Sequence, residues 1–299
     1  MEVIKLKAKI KDYIWGGHRL LSYGKESTGT VIAESWELSY FEGMESLVDS
    51  GSDKGRKLCD IATEMDLGSN IKNHKFFPIL IKLIDANKDL SVQVHPSDEY
   101  ALEHENSYGK TEMWYVVDAS ENAMLHIGFN KDVSKAEVEE RINNNTIMDV
   151  MNHIKVKPGD CYFIPSGTLH AIGEGCLIIE IQENSNLTYR VYDYDRRDAN
   201  GNRRELHIEK ALKVINYSKT NINNLQSNPL MDNEYFKVCK YNNPKSIKAD
   251  SSSFVSFTIL DGSGDVNGIK FNKGDTFFVP AGKTANINGD AFIVATSIN

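Results

Sequence analysis

Cysteine is scarce in this chain. There are four in 299 residues, Cys59, Cys161, Cys176 and Cys239, with no close pair and no C-x-x-C. That spacing excludes a dense disulfide framework, and it fits a reduced, cytoplasmic setting in which the thiols pack as small core residues. An excess of positive charge is also lacking. The formal net charge is −8, so no basic field exists to hold a nucleic-acid backbone, although a small phosphorylated substrate needs only a few local cations. No run of about 18 apolar residues occurs, which excludes a membrane-spanning helix. The opening MEVIKLKAKIKDYIWGG alternates apolar and polar residues and has neither the apolar block nor the small-residue cleavage site of a signal peptide. Finally, there is no G-x-x-x-x-G-K-[ST] loop, so any phosphate falls to side chains.

What the sequence does have is strand signal. Period-two or short apolar runs bounded by turn residues occur at 3–10, 31–40, 77–84, 90–95, 111–118, 122–129, 161–165, 176–182, 254–260, 269–271, 276–280 and 291–295. Many short strands between Gly, Pro, Asn and Asp turns indicate sandwiches or barrels. Helices are few. Ser134 to Glu137 reads as a capping box followed by Val138, Ile142, Ile147 and Val150, and two further candidates are 58–65 and 208–215. The Asn-rich stretch 218–233 reads as a linker. It would divide the chain into an N-terminal catalytic domain with helical insertions, 1–217, and a C-terminal domain, 234–299.

An internal repeat supports two related domains. PGDCYFIPSGTLH at 158–170 returns as KGDTFFVPAGKTA at 273–285, so that Gly159, Asp160, Phe163, Pro165 and Gly167 match residues 115 positions later. CLIIE at 176–180 likewise matches AFIVA at 291–295. His170 falls opposite Ala285 and Glu180 opposite Ala295, so ligand-capable side chains belong to the first copy alone.

In LSVQVHPSD at 90–98, strand parity places Ser91, Gln93 and His95 on one face and Val92 and Val94 on the other. In GKTEMWYV at 109–116, Lys110, Glu112 and Trp114 share a face, and His170 follows the Pro165-Ser166-Gly167 turn. His95, Glu112 and His170, with Gln93 as a weaker neutral donor nearby, form a nitrogen and oxygen set suited to Zn²⁺. The same two imidazoles and one carboxylate would also serve a non-haem iron oxygenase. Lys82 lies in an otherwise apolar strand, Lys110 stands two residues from Glu112, and Arg190 sits in the aromatic and charged stretch 183–197. A metal beside several cations points to a phosphorylated substrate with a polarised oxygen, as in aldose–ketose isomerisation through an enediolate. His18, His74, His104, His126, His153 and His207 lack such neighbours in sequence and read as structural.

KDYIWGG at 11–17, ESWELS at 34–39, LSVQVHPSD, GKTEMWYV, IPSGTLHAIG at 164–173 and the Arg190 region resemble the type I mannose-6-phosphate isomerases of the short bacterial form. The resemblance covers nearly the whole chain, and the large helical insertion of the long members is missing. It implies a mainly β fold of two cupin (jelly-roll β-barrel) domains with a few short helices, the second domain carrying no metal ligands. It also implies a cytoplasmic enzyme that interconverts mannose 6-phosphate and fructose 6-phosphate with one Zn²⁺ per chain. The partner implied is a small hexose 6-phosphate, with neither nucleic acid nor membrane, and the oligomeric state stays open. By the same resemblance Gln93, His95, Glu112 and His170 are zinc ligands, Ser91, Lys82 and Lys110 line the substrate pocket, Glu180 is a pocket carboxylate and Arg190 is the active-site arginine. Lys110, Glu180 and Arg190 are the catalytic candidates. The alternatives are the iron oxygenase, which leaves the three cations unexplained, and a non-catalytic sugar-binding cupin.

Overall fold

A computed structural model describes residues 1–27, 29, 31–197 and 201–299. The chain is mainly β with a few short helices, as the patterning indicates. Its contacts form two compact units, one made of Met1–Tyr13, Gly17–Leu83 and Leu225–Asn299, the other of Ile14–Gly16 and Ile84–Asn224. This grouping differs from the linear division at 218–233. The reason is a long-range pairing: strand Ile4–Lys7 lies antiparallel to Thr276–Val279, with Ile4 opposite Phe278. Alternation within a strand shows which side chains are buried but not which distant strand it joins. The chain does pass from one unit to the other after Asn224, inside the Asn-rich stretch.

In the first unit, seven strands of a nine-stranded sheet run in the order Met231–Asp232, Phe236–Asn242, Thr284–Ile298, Val255–Val266, Thr276–Val279, Ile4–Lys7 and Leu47–Val48, while Ser246–Lys248 and Ile269–Asn272 pair with Thr284–Ile298 and Val255–Val266 off this path. Its interior is apolar. Phe257 and Phe277 stack with centroids 5.4 Å apart among buried Ile259, Phe271, Ile287 and Ile293. Ala285 and Ala295, the counterparts of His170 and Glu180, belong to this core. The hairpin from Val255–Val266 to Ile269–Asn272 turns through Asn267 and Gly268 at φ 49° and 83°, the left-handed pair that a two-residue turn requires.

The repeat survives in three dimensions. Strands Cys161–Ile164 and Thr276–Val279 occupy matched positions. The matched turn glycines Gly159 and Gly274 have φ of 93° and 92°. Asp160 accepts the Lys157 N–H at 2.9 Å, and Asp275 accepts the Asn272 N–H at 2.8 Å.

In the second unit, five strands lie in the order Tyr189–Tyr192, Val92–Val94, His170–Ile172, Met124–Phe129 and Met151–Lys155. Three more, Cys161–Ile164, Glu112–Ala119 and Cys176–Glu183, are neighbours through the central one. One face of the five-stranded sheet is apolar: Val92, Val94, Leu169, Ala171 and Val191 cluster with Val138, Ile142, Ala211 and Leu212 from helices Lys135–Asn143 and Ile208–Val214. Ser134 caps its helix as expected, accepting the Glu137 N–H at 3.1 Å. The helix ends sooner than its apolar pattern suggests. Asn145 adopts φ 56°, and Ile147–Val150 forms a separate 3-10 turn. In the first unit, the segment 58–65 resolves into two single turns, Leu58–Ile61 and Glu64–Leu67, the second started by a Thr63–Asp66 capping box. All four cysteines are free, Cys161 and Cys176 being buried. Among the described residues no helix is long and apolar enough to cross a membrane.

Candidate active site and metal centre

The polar face of the five-stranded sheet carries the site. Arg190 stands opposite Gln93, and Gln93 opposite His170, so three expected residues form one row across adjacent strands. Ser91 lies two residues from Gln93 and therefore shares its face. His95 is one residue past strand Val92–Val94, where Pro96 ends the ladder by lacking an N–H. Glu112 opens strand Glu112–Ala119, opposite Ile164 on one side and Gln182 on the other.

His95, Glu112 and His170 converge, all buried, with donor atoms within 4.8 Å of one another. His95 Nε2 is 3.5 Å from Glu112 Oε2, and His170 Nε2 is 3.3 Å from Glu112 Oε1. Each imidazole is fixed from behind. His95 Nδ1 lies 2.7 Å from the Leu187 carbonyl oxygen and His170 Nδ1 lies 2.8 Å from that of Thr168. A carbonyl can only accept, so both Nδ1 atoms carry the proton and both Nε2 atoms present a lone pair. Burial, and next the Lys110 ammonium, push the His170 imidazole down to about 4, which keeps it neutral as a metal ligand must be. Its Nε2 is buried without a hydrogen-bond partner, an arrangement costly unless something else fills that lone pair. Donors 2.1 Å from a tetrahedral zinc stand roughly 3.4 Å apart, so this three-sided cradle fits such an ion.

The catalytic candidates gather around it. Lys110 ion-pairs with Glu112, and its Nζ is 3.2 Å from His95 Nε2 and 3.6 Å from Glu180 Oε1. Glu180 also accepts the Trp114 indole N–H at 3.1 Å, and the Trp114 ring meets His170 edge-on at 5.3 Å. Arg190 donates through Nε to Ser91 Oγ at 3.1 Å and through Nη1 to the Glu205 carbonyl at 3.0 Å. Gln93 is half-buried, with Oε1 3.5 Å from Ser91 Oγ. Lys82 is the exception, because it belongs to the first unit. It is 4% exposed there, with Nζ 3.9 Å from Glu34 Oε2 and 4.9 Å from the centre of the Trp36 ring.

Sequence comparison places this arrangement. Residues 3–121 match the family model for the type I phosphomannose isomerase catalytic domain. The mannose-6-phosphate isomerase ManA of Bacillus subtilis is 37% identical over 297 residues, 94% of each chain. The chain belongs to the type I mannose-6-phosphate isomerase family. A family relative from Streptococcus mutans is 36% identical and covers 100% of this chain and 99% of its own. The crystal structure of the Bacillus subtilis mannose 6-phosphate isomerase superposes with a TM-score of 0.88 at 35% identity, covering 99% of both chains. A zinc-bound mannose 6-phosphate isomerase structure, 15% identical, shares the fold at a TM-score of 0.78.

Sequence reasoning missed parts of this family member's site. The two carbonyl anchors are backbone atoms and have no signature in residue type. His126 and His153, read as structural, are joined across strands Met124–Phe129 and Met151–Lys155 by an Nδ1–Nδ1 contact of 2.8 Å, and His153 Nε2 is 3.0 Å from the Met148 carbonyl oxygen. Their facing positions depend on a strand, 151–155, that the polar sequence MNHIK does not announce. Burial, with His153 beside it, pushes His126 down to about 4. Between that value and the ordinary 6.5 the unfolded chain binds more protons, so stability from this group is complete above 6.5 and is lost as pH falls toward 4. The urea midpoint is expected to drop between pH 7 and pH 4.5, and to drop less in His126→Gln. An identical acid dependence in the variant would remove the pair from this account.

Proposed function

We propose that this chain is a zinc-dependent aldose–ketose isomerase that interconverts mannose 6-phosphate and fructose 6-phosphate in the cytoplasm. The observation that carries the reading is the convergence of two buried, Nδ1-anchored imidazoles on one buried carboxylate. His95, Glu112 and His170 would hold one zinc ion, with Gln93 as the further donor. Bound there, zinc supplies Lewis-acid charge for a substrate oxygen.

The remaining work falls to the chain's own residues. Arg190, held by Ser91 and the Glu205 carbonyl, offers a guanidinium fork for phosphate or enediolate charge. Ser91, held against Arg190, binds substrate. Lys110 and Glu180, 3.6 Å apart, are the groups that hold and move the proton between C1 and C2. Glu180 is 3% exposed and keeps its orientation through Trp114, so its carboxylate is excluded from bulk water. The 234–299 region, with alanines at the matched positions, is structural.

Metal analysis of the purified chain combined with a fructose 6-phosphate-coupled assay tests this reading. One zinc per chain together with turnover supports it. Iron with oxygen uptake would favour the oxygenase, and sugar binding without turnover a binding protein.

A further inference from the structure

The tripeptide Gly109-Lys110-Thr111 is gripped by two carboxyl groups that the proposed reaction leaves unused. Asp98, at the start of helix Asp98–His104, accepts the Gly109 N–H at 2.7 Å. Glu183, the last residue of strand Cys176–Glu183, accepts the Thr111 N–H at 2.6 Å and donates its own N–H to the Thr111 carbonyl at 3.0 Å. Between them the Lys110 N–H donates to the Pro96 carbonyl at 3.1 Å. Every peptide N–H of the tripeptide is therefore committed. Gly109 is pressed against the same turn, since a Cβ there would stand 2.5 Å from the Ser97 carbonyl carbon and 2.6 Å from the Asp98 nitrogen.

The Asp98 carboxyl lies beside that of Glu183, and Glu183 is 2% exposed. Burial, and next the Asp98 carboxyl, push Glu183 up to about 8. Near neutral pH Glu183 thus keeps its proton, and a second buried negative charge beside Asp98 is avoided.

We propose that Glu183 and Asp98 are positioning residues for Lys110: their hydrogen bonds to the Thr111 and Gly109 N–H groups form a bracket that fixes the backbone on both sides of the lysine. Four rotatable bonds separate that backbone from the ammonium, so freedom at the Cα would be amplified at Nζ. Fixing the Cα keeps Nζ within reach of Glu112, His95 and Glu180 at once. The inference rests on Lys110 being a working group of the isomerase site.

The test compares Glu183→Ala, Glu183→Gln and Asp98→Ala with the unaltered holoenzyme, reading zinc content, kcat and KM. A misplaced catalytic group costs up to about 100-fold. The alanine variants are expected to keep one zinc per chain while kcat falls about 10- to 100-fold, more than KM rises. Glu183→Gln should restore kcat, because its uncharged amide oxygen can still accept from the Thr111 N–H. Asp98 is partly exposed, so its alanine variant tests the bracket even if Glu183→Ala does not fold. Normal kcat in Asp98→Ala, loss of zinc along with activity in the alanine variants, or failure of glutamine to restore kcat would each overturn the proposal. An unaltered enzyme without isomerase activity would instead refute the reading of the site.

Discussion

His170→Ala is expected to cost the protein its zinc and its turnover together. The substitution deletes one of three buried donors and leaves His95 and Glu112 with Gln93, too few strong ligands for a closed structural or catalytic set. The loss is specific to the lone pair at Nε2. Thr168, whose carbonyl oxygen takes the Nδ1 proton, loses a partner but keeps its place in the turn through its own N–H to the Pro165 carbonyl. The strand stays paired through backbone bonds to Met124–Phe129 and Val92–Val94. The variant should therefore fold, dialyse to well under one zinc per chain, and fall by about 10³ or more in kcat/KM, since Lewis-acid stabilisation is worth several kcal/mol. Stoichiometric zinc in His170→Ala, measured by elemental analysis after dialysis, would sink the ligand assignment.

Arg190→Ala separates metal from chemistry. Arg190 is not among the converging donors, and its backbone remains paired with Gln93. Zinc should stay at one per chain while kcat falls roughly 10²- to 10³-fold, the usual cost of removing one preorganised donor from developing negative charge. Arg190→Lys should recover little. A single ammonium cannot replace a planar fork that reaches Ser91 Oγ, the Glu205 carbonyl and a substrate oxygen together. Near-normal turnover in Arg190→Ala would take the residue out of the mechanism.

Much of this site was legible in the sequence because strand parity carries it. Ser91 and Gln93 alternate with Val92 and Val94, and the structure puts those valines in the apolar cluster with Leu169 and Ala171. The two-copy pattern was legible for the same kind of reason: a Gly-Asp turn needs a left-handed glycine and an aspartate that accepts a nearby N–H, and both copies show them. Other parts have no local signal. Helix Asp98–His104 buries only Ala101, so no apolar period marks it. Lys110 lies before its strand, and its neighbours Gly109 and Thr111 are hydrogen-bonded to Asp98 and Glu183, residues near in space and distant in sequence or parity. The partner of Ile4–Lys7 was hidden because alternation is the same whichever edge a strand joins.

That last pairing also sets an order of assembly. Residues 84–224, with every converging metal donor, leave the ribosome before Thr276–Val279 exists. The ligand-bearing unit can close around its ion while one edge of the opening strand, whose other edge meets Leu47–Val48, is still unpaired. A nascent chain halted just before residue 276 should accordingly already retain zinc, with one edge of its first strand still unpaired.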